Sequence, residues 1–440
     1  MEKRKRIETL LPEAMIQLIQ SFLTEEESAR TTLISKSWYN AWLTRPVLVL
    51  RNLDRRSSAI MRRYQDSNLK IESFSLKLQR CTSRGEPLAH RLIVDAMKLG
   101  ATDLNLEFKP TTFVLPPEVL GSETLLRLSV SGCVIIDGNV NCSMLKSLSL
   151  DNVVLKSADM LKSITSCCNS IEELSLSNSC ISNHRILLSG MNVHQLLILK
   201  RHRILLSGEN IHELHKLKRL YLETVAVDNS FFNDLESRLP CLEDMSLVSC
   251  YCTAIRVKSS SLQRISIVQR DASKLELEVP NLAVFSYSGG SLLPWSISIK
   301  ARDECESHIS MECDHFQTSS WYRGLHKMLT QLSPSRINLT TNMSEPYTKR
   351  IAGVNDIPIV GIPVAVENLR IETRYDAGFF LRCLFRICRP KLVTHCLLDE
   401  SWKYLLELTG KGVVEKVNVE LHPWKAVFMD GKIDSSLFDE

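Results

Sequence analysis

Glycine is scarce in this chain, at 16 of 440 residues. A loop that cradles phosphate needs clustered glycines, and no G-x-x-x-x-G-K-[ST] run is present. G-x-S-x-G and H-E-x-x-H are missing too, and no cysteine stands out beside an identifiable histidine partner, so no catalytic constellation is expected. Long apolar runs are also lacking: no window reaches the length needed to span a bilayer. The opening MEKRKRIETLLPE has no apolar stretch behind its charges, so no secretory leader is expected. Without a leader, the 14 cysteines point to a reducing compartment and free thiols rather than a disulfide framework.

A dominant charge is missing as well. The net charge is +4, but residues 1–65 hold 12 Lys/Arg against 7 Asp/Glu, which leaves the other 375 residues at −1. Such a body offers no broad basic face, so nucleic acid is not expected as a partner. The only support for it would be the Arg51–Arg63 stretch. The run Lys3-Arg4-Lys5-Arg6 suits either a solvated tail or a nuclear-import signal, and the composition fits cytoplasm and nucleus alike. With 44% hydrophobic and 24% charged residues the chain is of ordinary globular composition, and its length suits about three domains or one long solenoid.

What is present begins at residues 10–46. Pro12 opens a helix, and Ile16, Ile19 and Leu23, with Phe22 beside them, give it an apolar face. Thr24 and Glu27 have capping-box spacing, and Glu25 and Glu26 suit the positive end of a helix dipole. A second helix is expected over residues 25–34, with Ala29 and Leu33 inward. Ser35 is placed to cap a third, which carries Trp38 and Trp42. So small a trio leaves apolar side chains without a home.

The segment resembles an F-box. Leu11-Pro12 opens it, Ile16, Ile19, Phe22 and Leu23 follow, and Leu33-Ile34-Ser35-Lys36-Ser37-Trp38 closes it in the manner of plant members. Thr24 stands where many members have proline. The resemblance implies that Leu11, Pro12, Ile16, Ile19, Leu23 and Leu33 face a Skp-type adaptor, with Trp38 supporting the third helix.

After a basic stretch, taken as a linker, apolar residues recur as L-x-x-L-x-L, the strand signature of a leucine-rich repeat. The clear copies are Leu125-Leu128-Val130, Leu145-Leu148-Leu150, Ile171-Leu174-Leu176, Leu217-Leu220-Leu222, Leu242-Met245-Leu247, Leu262-Ile265-Ile267 and Leu282-Phe285-Tyr287. Ile71-Phe74-Leu76 and Leu104-Leu106 are weaker, with echoes at Val366-Leu369-Ile371 and Val414-Val417-Val419. A tandem duplication repeats HRILLSG at residues 184–190 and 202–208, and its spacing puts Val193–Ile198 in register as an extra strand, or else bulges as a loop.

Cys305, His308, Cys313 and His315 are zinc-ligand types, but their spacing fits no metal motif and the segment is acidic, so no metal or cofactor is expected. The helical stretches expected in the last third are residues 321–332 and 379–388, the second ending at Pro390.

The expected fold is α/β: an all-α three-helix F-box (8–48), a linker (49–65), an irregular leucine-rich-repeat solenoid with a curved parallel sheet (66–300), and a degenerate repeat-like extension (301–440). The resemblance to plant F-box/LRR proteins implies a non-catalytic substrate receptor of an SCF-type ubiquitin ligase. Its partners would be a Skp-type adaptor, through it a cullin, and a target protein of unknown identity, with no membrane partner. A non-degradative scaffold and a ligand-sensing receptor are the alternatives.

Overall fold

The computed structural model describes residues 11–23, 25–79, 85–109, 113–136, 138–181, 203–207, 214–269, 274–290, 293–294, 296–301, 304–313, 319–333, 335–343, 361–373, 378–397, 414 and 416–421. The chain forms two compact units, Met1–Ile204 with Asn210–Leu214, and Leu205–Glu209 with His215–Glu440.

The first unit opens with three short helices, α1 (Glu13–Ser21), α2 (Glu25–Thr31) and α3 (Lys36–Thr44). A parallel ladder follows in chain order: Val47–Leu50, Ser73–Leu78, Asp103–Phe108, Arg127–Ser131, Ser147–Asp151 and Glu173–Ser177. Alternate residues point inward, so Leu104, Leu106, Leu128, Val130, Leu148, Leu150, Leu174 and Leu176 are buried in stacked rows. Each single strand cannot cover its own apolar face; its neighbours do, and the core is continuous. A second column of short parallel strands, Phe113–Val114, Cys133–Ile135, Val154–Leu155 and Cys180–Ile181, closes the other side.

Turning from the long strand to the short one requires a left-handed residue. Gly132 (φ 72°), Asn152 (φ 50°) and Asn178 (φ 51°) each stand directly after a ladder strand. Glycine and asparagine are the residues that adopt this conformation most cheaply.

The second unit repeats the scheme. Its ladder runs Arg219–Glu223, Asp244–Val248, Arg264–Gln269, Val284–Gly289, Glu306–Cys313, Arg336–Met343, Val364–Thr373, Cys388–Leu397 and Lys416–Leu421, all parallel. A short column, Ala254–Lys258, Lys274–Glu278 and Ser296–Lys300, lies outside it. Thr224 (φ 53°) and Ser249 (φ 49°) take the left-handed turn position here.

Each described L-x-x-L-x-L copy places its last two apolar positions on a ladder strand, including the faint ones at residues 71–76 and 414–419. Two expectations are corrected. The stretch taken as a linker belongs to the fold: Val47–Leu50 is the first ladder strand, and Arg55–Asp66 is a fourth helix, α4. Its inward residues are only Ser57, Met61 and Tyr64, too few to show as an apolar stripe in so arginine-rich a segment. The second late helix is Gly378–Leu384, and Pro390 lies near the start of a strand, where its missing N–H is tolerated. In the repeat-like extension, residues 304–421 carry strands of six to ten residues in the same ladder. The expected strand Val193–Ile198 lies outside the described residues.

Of the four zinc-ligand types, Cys305 and Cys313 are buried, His308 on the strand after Cys305 is exposed on the opposite face, and His315 lies outside the described residues. Among the described residues no group of three or more potential metal ligands converges. Cys133, Cys168 and Cys250 are buried as the apolar register expects, Cys252 is half-buried, and Cys167 is exposed. Among the described residues no helix is long and apolar enough to cross a membrane.

Candidate functional site

The helix trio keeps much of its apolar surface outside. Its interior combines Ile16 and Ala41 with the buried polar Gln20 and Ser28, and one side of its exterior is apolar. Gln20, 1% exposed, donates through Nε2 to Thr31 Oγ1 of α2 (2.9 Å) and to the Trp38 carbonyl of α3 (3.2 Å). One turn earlier, Gln17 Nε2 donates to Thr44 Oγ1 at the end of α3 (3.1 Å), and Thr44 in turn bonds Glu13. One face of α1 is thus tied across both partner helices. Ile16, 1% exposed, shares that inward side with Gln20, four residues on.

The other side of α1 carries Leu11, Met15, Leu18, Ile19 and Phe22. Their spacings of four, three, one and three residues put them on one stripe. All five are exposed, Phe22 by 81%. Leu23 follows at the helix end, also exposed. Leu33 (88% exposed) and Ile34 (62%) stand on the turn between α2 and α3. That turn is fixed by backbone bonds from Leu33 N–H to the Arg30 carbonyl and from Ile34 N–H to the Thr31 carbonyl. Among the described residues, nine of the fourteen large hydrophobic side chains that are exposed lie between Leu11 and Tyr39. A monomer surface rarely concentrates apolar side chains in this way unless something covers them.

Of the residues singled out from the sequence, Leu11, Pro12, Ile19, Leu23 and Leu33 are on the exposed surface, Trp38 is half-buried, and Ile16 is inside the trio. Leu33 was expected inward as well, and the structure turns it outward because α2 ends at Thr31 and the chain leaves the helix there. Met15, Leu18, Ile34 and Tyr39 were missed. The signal that finds Met15 and Leu18 is the second apolar row of α1, which has its own helical period beside the Ile16–Gln20 row. Ser35 occupies the first position before α3 in extended conformation, but its side chain makes no capping bond.

The trio is anchored to the first repeat. Tyr64 of α4, fully buried, donates its hydroxyl to the Arg45 carbonyl (2.9 Å). Arg63 Nη2 donates to the Leu43 carbonyl at the C-terminal end of α3 (3.0 Å), where a cation meets the negative end of the helix dipole. Arg45 donates to Ser28 Oγ of α2 (3.3 Å) and lies over the Trp42 ring, 5.6 Å from its centroid. These links present the apolar surface from a fixed base.

No protein-family model matches the chain. Curated proteins of Arabidopsis thaliana resemble it. One F-box/LRR-repeat protein is 32% identical over 180 residues, covering 38% of this chain and 36% of the relative. A second is 30% identical over 210 residues, covering 42% and 43%. An F-box protein is 30% identical over 193 residues, covering 38% and 40%. The chain spans 31–43% of the length of the curated relatives it matches. Taken with the helix trio and the repeat ladders, these likenesses make the chain similar to F-box/LRR-repeat proteins of plants.

Proposed function

We propose that the chain is a substrate-recognition subunit of an SCF-type ubiquitin ligase. The exposed apolar surface of residues 11–34 binds a Skp-type adaptor that bridges to a cullin, and the repeat ladders bind the target protein. The observation that carries the reading is the apolar exterior of the helix trio: Gln20 is buried beside Ile16, while Leu11, Met15, Leu18, Ile19, Phe22 and Leu33 stay outside. An apolar face kept in water loses about 25 cal/mol for each Å² it leaves uncovered. Covering it with a partner recovers that free energy, and large central anchors such as Phe22 and Leu33 are where such interfaces concentrate their affinity.

The contribution of this chain to the reaction is proximity. It makes and breaks no bond; it holds target lysines near a charged conjugating enzyme and so raises their effective concentration. Met15, Leu18 and Phe22 join Leu11, Pro12, Ile19, Leu23 and Leu33 as contacts. Ile16 shapes α1 from within, and Trp38 supports α3.

The test is co-purification of the full chain with a purified plant Skp-type adaptor. Wild type captures it, Phe22→Asp and Leu33→Asp do not, and both variants keep the far-ultraviolet dichroism of the wild type. A wild-type chain that captures no adaptor refutes the reading.

A further inference from the structure

α4 presents a face that neither its fold nor the proposed apolar interface explains. Ser57, Met61 and Tyr64 are its buried row. On the opposite side Arg55 and Arg62, seven residues apart, form one row, and Arg56 and Arg63 form the next. Arg63 is committed to the end of α3, and Arg56 contributes to the field that keeps the capping Asp54 carboxylate ionised. Arg55, Arg56 and Arg62 are exposed, as is Arg51 just before the helix. Among the described residues, no acidic side chain makes an ion pair with Arg51, Arg55 or Arg62. Residues 45–70 hold seven Lys/Arg against two Asp/Glu, so the basic surplus of the chain is gathered here.

The rest of the chain keeps near-neutral balance by cross-strand pairs such as Arg127–Asp103 and Arg264–Asp244, each 2.9 Å. Arg55 and Arg62 stand without an ion pair among the described residues on one short helix. A guanidinium forks onto a carboxylate in a planar bidentate pair. α4 is 12 residues, about 18 Å long, which suits a short extended peptide. It is poorly suited to nucleic acid: its one aromatic, Tyr64, is buried and offers no stacking surface. The helix is bonded to α3 in the same unit as the apolar face.

We infer that the Arg55–Arg56–Arg62 face of α4 docks an acidic polypeptide segment of the partner that covers the apolar face of α1, and speeds its capture by electrostatic attraction. This rests on the proposed adaptor reading for the identity of the partner, while the acidic specificity of the face is its own claim.

The first probe is fluorescent poly-L-glutamate titrated onto the full chain. Arg55→Gln/Arg56→Gln/Arg62→Gln weakens its binding about tenfold at low salt, the triple lysine variant keeps most of it, and Phe22→Asp leaves it unchanged. Poly-L-glutamate binding that ignores the three arginines, or tighter arginine-dependent binding of single-stranded RNA, overturns the inference. The second probe is the association rate of the purified adaptor at several salt concentrations. The triple glutamine variant is slowed about tenfold at low salt and matches wild type at high salt. Adaptor capture at an unchanged rate overturns the inference and leaves the adaptor reading standing. Loss of capture by wild type itself, with glutamate binding intact, refutes the adaptor reading and with it this choice of partner.

Discussion

Gln20 and Phe22 are two residues apart on α1, and substituting each gives opposite results. Gln20→Ala removes two hydrogen bonds, 2.9 Å to Thr31 and 3.2 Å to the Trp38 carbonyl, each contributing about 1 kcal/mol net. It also opens a small cavity at a fully buried position, adding about 1 kcal/mol. Against this, Gln20 Oε1 is buried with no partner, and its removal recovers part of a desolvation cost of about 1 kcal/mol. The balance is a loss of about 2 kcal/mol in the stability of the trio. Phe22→Asp, at an 81% exposed position, changes folding stability by no more than about 0.5 kcal/mol. Its cost falls on binding: loss of an aromatic anchor weakens a complex by about 2 kcal/mol or more, roughly thirtyfold, and a carboxylate forced into an apolar contact adds to that. Amide hydrogen exchange over residues 13–44 reads the first effect, and adaptor titration reads the second. Gln20→Ala accelerates exchange about thirtyfold across α1 and α3, whereas Phe22→Asp leaves exchange alone and abolishes binding. If Phe22→Asp accelerates exchange as strongly as Gln20→Ala, Phe22 is an interior residue and the apolar-exterior argument is refuted.

Further outcomes follow from the same physics. Asp54 caps α4 by accepting from Ser57 N–H at 2.8 Å, and that bond holds its carboxyl below the ordinary aspartate range. A lowered folded-state value means its stabilisation is present above the unfolded carboxylate range and lost as pH falls through the folded one; Asp54→Ala therefore lowers the melting temperature at neutral pH, and the difference fades in acid. Thr224 holds φ 53°, where a β-branched residue is strained by about 1–2 kcal/mol, so Thr224→Asn raises the urea midpoint; a lower midpoint refutes this. Burial pushes the thiols of Cys250 and Cys388 up to about 12 and that of Cys383 to about 11, while Cys167 and Cys241 are exposed. Iodoacetamide on the native chain at pH 8 labels the latter pair and spares the former three, as peptide mass spectrometry will show. The native chain after dialysis against zinc retains less than one equivalent at Cys305, His308 and Cys313, read by atomic absorption, since these side chains point to opposite faces.

The repeat strands were legible in the sequence because their signal is local. Leu220 and Leu222 in one copy, or Ile265 and Ile267 in the next, must both point inward, and a period of two states that without reference to any neighbour. The helix trio was legible for a different reason: Leu11-Pro12 and the Ser35-Lys36-Ser37-Trp38 closing stand at fixed offsets. What sequence alone determined is therefore the clear repeat strands and the helix trio, and that a parallel ladder follows that trio.

Which side of each helix meets the core was decided only in three dimensions. α1 has two adjacent apolar rows, and periodicity treats them alike. Ile16 goes in and Met15, Leu18 and Phe22 stay out because Gln17 and Gln20 find partners on α2 and α3. Leu33, apolar and expected inward, is turned to solvent by the end of α2 at Thr31. The arginine-rich segment at residues 55–66 looks like a linker in one dimension, and becomes a helix because Tyr64 and Arg63 are bonded to the Arg45 and Leu43 carbonyls. The outcomes for α1 and α4 turn on hydrogen bonds between residues 11 to 27 positions apart, and no local pattern encodes a partner that far along the chain.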